Sequence, residues 1–144
     1  MSGLESLYQE LILDHAKNRR GFGLEGDESD ATSHQRNPIC GDEITLRVHV
    51  DGDRVTSLTW EGAGCSISQA SASMLAELAE GLDRAASERL IERFREAMRS
   101  KGQLELDEDE FGDATALSGV SKYTARVKCA MLAWVAFEDA LRRS

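Results

Sequence analysis

Three cysteines and one aspartate are the residues of this chain best suited to chemistry. Cys40 and Asp42 flank Gly41, which allows the backbone to turn so that the two side chains converge. Cys65 follows two glycines and begins a predicted helix, where the helix dipole and free N–H groups stabilise a thiolate. Cys129 lies in the first turns of the last predicted helix. Three thiolates and a carboxylate form a tetrahedral ligand set for zinc, with Zn–S distances of about 2.3 Å.

The cysteine pattern also allows other interpretations. Each cysteine taken alone is equally consistent with a small buried hydrophobic residue. An odd number cannot pair completely in disulfides, and the absence of a C-x-x-C pair disfavours thioredoxin-like chemistry and a zinc ribbon. The charge balance favours a metal, because four anionic ligands and a divalent cation leave two negative charges. Arg126 and Lys128, beside Cys129, can offset them.

The three histidines are weaker candidates for a site. His15 lies on the apolar stripe of the first helix, so a packed, hydrogen-bonded imidazole is expected. His49 lies on the outward face of a strand and is expected to be solvated. His34 precedes Cys40 and is a minor candidate for a metal ligand.

The hydrophobic pattern predicts an α+β fold, with helices packed against a small antiparallel sheet of about three strands. Strict alternation predicts a strand over 43–50, and Asp51-Gly52 predicts a type I′ turn into a second strand over 54–60, whose inward face includes Thr56. The polar segment 21–36 is predicted as a loop with room for a short edge strand. Helical periodicity and capping signals predict four helices: from Ser2 to a stop at Gly21, from Ser66 to near Gly81, from Ser87 to Ser100, and from Ala125 to Arg142.

Composition restricts the function classes. The 144 residues predict a single domain over 1–144, and the acidic run 104–113 is predicted as a solvated loop. A net charge of −9 disfavours binding to nucleic acids or anionic membranes and favours a partner with a basic docking face. No apolar run approaches the ~20 residues that a membrane span needs, and the first residues lack a signal peptide, so we expect a cytoplasmic protein.

Three segments resemble the ligand motifs of the IscU/NifU-like family of iron–sulfur cluster assembly proteins: Asn37–Asp42, Gly62–Ser73 and Ala125–Ala130. Within this family the chain resembles the SufU branch more than the IscU scaffolds. Lys128 stands where the scaffolds have a histidine, and residues 119–123 replace their Leu-Pro-Pro-Val-Lys chaperone site. The helix predicted over 87–100 corresponds to an insertion that SufU proteins share.

The resemblance implies an IscU/SufE-like fold and a zinc-dependent sulfurtransferase or sulfur acceptor. Its partners would be a pyridoxal-phosphate-dependent cysteine desulfurase of the SufS type, which supplies persulfide sulfur, and a downstream cluster scaffold. The metal ligands would be Cys40, Asp42, Cys65 and Cys129. We predict Cys40 as the sulfur acceptor, because it lies on a loop that can leave the metal, and Arg126 as the residue that balances charge.

Three other functions remain open at this point. The same four ligands suit iron or a [2Fe–2S] cluster on a scaffold that assembles and transfers it. A structural zinc module would hold a closed site in which Cys40 does not react. A cysteine hydrolase would need a histidine base beside the thiol, and none of the three histidines is placed for that role.

We expect protein purified without added metal to carry about one zinc ion per chain and to show no strong visible absorbance, because d¹⁰ zinc with thiolate and carboxylate ligands is colourless. Elemental analysis and an absorption spectrum measure both properties. Stoichiometric iron with inorganic sulfide would contradict this expectation and favour the scaffold.

Overall fold

The computed structural model describes residues 3–26, 30–38 and 41–144. The elements follow in chain order: α1 Gly3–Lys17, β1 Ala31–Asn37, β2 Asp42–Asp51, β3 Arg54–Ala63, α2 Ser66–Ala79, α3 Arg84–Arg99, α4 Glu108–Phe111, a 3₁₀ helix over Gly112–Lys122, and α5 Thr124–Arg143. None of these helices is long and apolar enough to cross a membrane.

The described strands form one antiparallel sheet in the order β1-β2-β3. The alternation of β2 buries Ile44, Leu46 and Val48, as predicted. Leu46 lies opposite Ser33 on β1 and Trp60 on β3. The sheet confirms the predicted hairpin and the α+β class, and β1 occupies part of the segment that was predicted mainly as loop.

The hairpin between β2 and β3 differs from the prediction in two details. Gly52 and Asp53 form the two-residue loop, and of these only Gly52 has a positive φ, 63°, which is the type II′ pattern and not type I′. His49 then pairs with Ser57, and Val50 pairs with Val55, so Thr56 is the extra residue of a β-bulge. The bulge turns Thr56 outward and gives Val55 the buried position.

The acidic segment 104–113 is more ordered than predicted. Asp107 accepts a hydrogen bond from the N–H of Asp109 and begins α4, which leads directly into the 3₁₀ helix. Leu106 and Phe111 anchor the segment because both side chains are buried. The acidic side chains remain at the surface, which is why charge alone suggested a solvated loop.

Helices α2 and α5 form the centre of the fold. Helix α5 packs against β1, β2 and α2, and α2 also contacts α1 and β3. The Ser71 hydroxyl donates to the carbonyl of Ala130 (2.6 Å) and accepts from the indole N–H of Trp134 (3.0 Å), so it joins the two helices. Phe94 of α3 stacks on Trp134 with ring centroids 4.0 Å apart.

His15 attaches α1 to this centre. The imidazole is fully buried, with Nδ1 2.7 Å from the hydroxyl of Ser73 and Nε2 2.9 Å from a carboxylate oxygen of Asp113. The guanidinium of Arg20, which can only donate, lies 3.2 Å from Nδ1. Nδ1 is therefore the acceptor and Nε2–H the donor, which confirms the predicted packed, hydrogen-bonded histidine. Helix α1 ends at Lys17, earlier than the predicted stop at Gly21.

Replacing His15 by Leu should lower the free energy of unfolding by about 1–3 kcal/mol, because Ser73 and Asp113 lose a buried partner. Urea denaturation followed by circular dichroism measures the change. Leu13→Ala is the matched control, since Leu13 lies on the same helix and is 61% exposed. Equal stability of the two variants would show that His15 does not hold α1.

Candidate metal centre

Three of the four predicted ligands come together in the structure. One ligand atom each from Asp42, Cys65 and Cys129 lie within 4.8 Å of one another. Their positions come from three elements: the first residue of β2, the residue before α2, and the second turn of α5. Cys40, the fourth predicted ligand, lies outside the described residues. The structure therefore contains a candidate metal site of one carboxylate and two thiols.

The spacing of these atoms suits a tetrahedral metal ion. With bonds of about 2.3 Å to sulfur and 2.0–2.2 Å to oxygen, neighbouring ligand atoms lie about 3.5–3.8 Å apart. The sulfur of Cys65 lies 4.0 Å from Oδ2 of Asp42. Small side-chain adjustments close the remaining difference, and the mixture of thiolate and carboxylate is a donor set that zinc accepts.

Asp42 is positioned by the backbone at the start of α2. Its side chain is fully buried, and Oδ1 accepts a hydrogen bond of 3.0 Å from the N–H of Cys65. Oδ2 is directed toward the sulfur of Cys65. One carboxylate therefore holds the helix start with one oxygen and presents the other to the candidate site. The thiol of Cys65 makes no capping hydrogen bond to its own helix. Its sulfur lies beside this second oxygen of Asp42.

Gly64 makes this close approach feasible. A Cβ at position 64 would overlap Oδ1 of Asp42 and lie 2.6 Å from the hydroxyl of Ser68. Only a residue without a side chain therefore fits between β3 and the buried carboxylate. The strand predicted over 54–60 extends to Ala63 in the structure, and Gly64 provides space beside the site.

The two described cysteines differ in accessibility. Cys129 is 1% exposed, and its sulfur lies 3.9 Å from the carbonyl of Ala125 one turn earlier. Cys65 is half-buried and opens into a cleft of about 950 Å³. We call this space the Cys65 cleft; its walls include Tyr8, Ile12, Ile67, Val120, Lys122 and Arg126. Reactants from solvent can therefore approach the candidate site from this side.

The Cys65 cleft combines apolar and cationic groups. Arg126 and Lys122 line it, and no carboxylate in the described part of the chain lies within 4.0 Å of either cation. Burial, together with the negative charges of Glu105 and Glu108, raises the pKa of Tyr8. The Tyr8 phenol therefore stays protonated at neutral pH and offers a hydrogen-bond donor. The structure brings Arg126 to the approach side of the site.

None of the three histidines belongs to the cluster of Asp42, Cys65 and Cys129. His34 lies 2.6 Å from Glu43, and His49 lies 2.8 Å from Asp30. The hydrogen bond that His49 donates to Asp30, together with the negative charge of this carboxylate, raises the pKa of His49 above its ordinary value. His34 therefore pairs with a surface carboxylate in this structure.

His15, Glu77 and Asp113 form a second cluster with metal-ligand spacing. Arg20 already occupies it: its guanidinium pairs with Glu77 at 2.6 Å and contacts His15. A metal cation would be repelled there by the fixed positive charge.

Comparisons with known proteins agree with this fold and site. Residues 7–130 match the family described as "NifU-like N terminal domain", and the chain belongs to this family. It is 41% identical to the zinc-dependent sulfurtransferase SufU of Bacillus subtilis, over 99% of this chain and 94% of that protein. It is also 37% identical to the iron–sulfur cluster assembly scaffold protein IscU of Streptococcus pyogenes, over 100% of this chain and 88% of that protein.

A solved structure shares the architecture. The crystal structure of a putative iron–sulfur cluster assembly scaffold protein for the SUF system, from Fervidobacterium islandicum, superposes with a TM-score of 0.81 at 31% identity. The alignment covers 95% of this chain and 98% of that one. These matches confirm the family resemblance and the IscU-like fold that the sequence implied.

Replacing Gly64 by Ala should weaken zinc binding about 10- to 100-fold, because the new methyl group displaces the Asp42 carboxylate. Competition with a chelator of known affinity measures the change. Gly119→Ala is the control, since a Cβ at position 119 meets no atom within 4 Å. Equal zinc affinity of the two variants, both folded by circular dichroism, would contradict the proposed role of Asp42.

Proposed function

We propose that this chain is a zinc-dependent sulfur acceptor of iron–sulfur cluster assembly. It would take persulfide sulfur from a pyridoxal-phosphate-dependent cysteine desulfurase and pass it to the cluster-building machinery. One observation carries the proposal: Asp42, Cys65 and Cys129 converge beside a cleft that exposes a thiol. The similarity to a protein named zinc-dependent sulfurtransferase supports it.

We propose Cys40 as the fourth ligand of this site. Only Gly41 separates Cys40 from Asp42, so the two Cα atoms lie at most about 7 Å apart. Gly41 has a positive φ of 74°, a backbone conformation that favours glycine and turns the chain at this point. Zinc, when bound, would keep the coordinated thiols deprotonated and shield them from oxidation.

The transfer step exchanges one sulfur–sulfur bond for another. The Cys40 thiolate attacks the outer sulfur of the donor's cysteine persulfide, the donor's S–S bond breaks, and the donor cysteine leaves as a thiolate. The outer sulfur moves to Cys40 together with its proton, so Cys40 becomes a persulfide. Atoms and charge balance without an added oxidant or reductant. Cys129 is buried and Cys65 is held at the start of α2. We therefore propose Cys40, the acceptor that the sequence predicts, as the thiol that attacks.

Arg126 balances charge during this step in our proposal. Three thiolates and one carboxylate around a divalent ion carry two net negative charges, and an incoming persulfide adds another when ionised. Arg126 lines the Cys65 cleft, and its guanidinium has no carboxylate partner among the described residues. A free cation at the entrance lowers the repulsion between donor and acceptor sulfur.

The scaffold function is the second candidate. Two relatives named as IscU scaffold proteins, from Streptococcus pyogenes and Thermotoga maritima, are each 37% identical over nearly the whole chain. The ligand set also suits a [2Fe–2S] cluster. Lys128 in place of a histidine favours the zinc-dependent acceptor, because a lysine ammonium has no lone pair to donate to a metal.

Brief incubation with a cysteine desulfurase and cysteine should place one extra sulfur on Cys40, which peptide mass spectrometry locates. Cys40→Ser should abolish stimulation of the desulfurase.

Arg126→Ala should lower the transfer rate about 10-fold or more without loss of zinc, since it removes an electrostatic contribution. Lys128→Ala is the matched control, being an exposed cation two residues away, and should change neither zinc content nor rate.

Two results would contradict this assignment. Extra sulfur on Cys65 or Cys129, with Cys40 unmodified, would show that another thiol is the acceptor. Loss of zinc in Lys128→Ala would show that Lys128 belongs to the metal site.

A further inference from the structure

We propose that a groove on the far side of α5 binds an extended, acidic segment of a partner protein as an added strand beside β1. We call it the edge groove; it is lined by Gln35, Arg36, Asn37, Pro38, Lys128, Met131, Leu132 and Val135. This docking surface is separate from the Cys65 cleft, and its occupation does not depend on the proposed sulfur transfer.

The backbone of β1 offers an open sheet edge. On the opposite side of the sheet, residues 21–23 cover β3 with two hydrogen bonds to Trp60, and Gly81 and Leu82 cover it at Val55. Within the described ranges, no backbone segment other than β2 pairs with residues 31–36. An edge strand directs alternate N–H and C=O groups outward, so β1 can accept another strand.

The side of the groove formed by α5 is apolar. Met131 and Val135 are half-buried and Leu132 is 9% exposed, so the three side chains cover the core and still present a surface. The groove has a volume of about 350 Å³. In an extended segment, alternate side chains point to the same side. One face of an added strand can therefore place apolar side chains on this surface.

The rim of the edge groove determines the charge of its occupant. Arg36 and Lys128 are both exposed, and neither has a carboxylate within 4.0 Å in the described part of the chain. These cations stand out because the chain as a whole has a net charge of −9. An acidic segment would pair with them. A second copy of this chain would bring Arg36 and Lys128 toward their equivalents, and the two acidic bodies would repel each other.

The position of the groove allows it to be used together with the Cys65 cleft. Successive residues of an α-helix are rotated by about 100°, so Arg126 and Lys128 point about 200° apart around α5. Arg126 lines the Cys65 cleft and Lys128 lines the edge groove. A partner in the edge groove therefore leaves the exposed side of Cys65 open. One protein in the Cys65 cleft and another in the edge groove can therefore bind at the same time, on opposite sides of α5.

The test uses a capped decapeptide of alternating Glu and Val, titrated into the full chain labelled with ¹⁵N. We expect backbone amide shifts confined to residues 34–37 and 128–135. The double variant Arg36→Glu/Lys128→Glu should weaken binding at least about tenfold, because attraction becomes repulsion. Arg89→Glu, an exposed charge reversal on α3, is the control and should leave affinity unchanged. A peptide with Pro at its centre should bind more weakly, since it lacks a strand N–H.

Several outcomes would overturn the proposal. Absence of shifts at the solubility limit of the peptide, shifts centred on the Cys65 cleft, or equal binding of a Lys–Val peptide would each exclude an acidic strand in this groove. Sedimentation showing a dimer that Val135→Glu dissociates would identify a second copy as the occupant instead. The amide spectrum of each variant verifies that it is folded before its affinity is compared.

Discussion

The hydrogen bond from the Cys65 N–H to Asp42 is the interaction on which the candidate metal centre depends. A fully buried carboxylate is costly unless its oxygens have partners, and this one satisfies an oxygen with a free N–H at the start of α2. The bond joins the first residue of β2 to the residue that precedes the helix. Two segments that are separated by the whole β2–β3 hairpin are thereby held together. The second oxygen is left facing the sulfur of Cys65, where a metal ion would complete its coordination.

Cys129, the third residue of the candidate centre, is held in place by the packing of the two central helices. Ser71 joins α2 to α5 through the carbonyl of Ala130, the residue directly after Cys129, and through the indole of Trp134. Trp134 is in turn stacked on Phe94. The position of Cys129 relative to Cys65 is therefore set by a rigid, buried junction, which suits a site whose ligands must keep tetrahedral spacing. Helix α3, which contributes Phe94, stabilises the site although it contributes no ligand.

Charge is distributed unevenly over the molecule. The chain is strongly acidic overall, whereas the described residues around the openings near the candidate centre include Lys122, Arg126, Lys128 and Arg36. Lys122 and Arg126 line the Cys65 cleft and would offset the negative charge of the proposed ligand set, whereas Lys128 and Arg36 attract anionic groups to the edge groove. Two openings on opposite sides of α5 would let the proposed relay contact one partner that delivers sulfur and another that receives it. The net charge of −9 suggested a basic partner, and the structure adds a local surface with the opposite preference.

The sequence by itself determined the family and most of the secondary structure, and it singled out the three residues that the structure brings together in the candidate centre. Residue types and local neighbours decide these properties: alternation defines β2, helical periodicity defines α3 and α5, and three motifs resemble those of the family. The ordering of 104–113 could not be predicted, because burial of Leu106 and Phe111 outweighs the local preference of an acidic run. The exposure of Thr56 follows from a one-residue bulge, which reverses the facing of a strand without any local signal.

The tertiary structure alone decided which residues surround the ligands and from where they can be reached. Gly64 provides space only because β3 brings it against Asp42, and His15 forms its bonds only where α1 meets α2 and the 3₁₀ helix. The Cys65 cleft and the edge groove arise between elements that are distant in sequence. Contacts of this kind depend on the relative positions of whole elements, and no local pattern of residues specifies those positions.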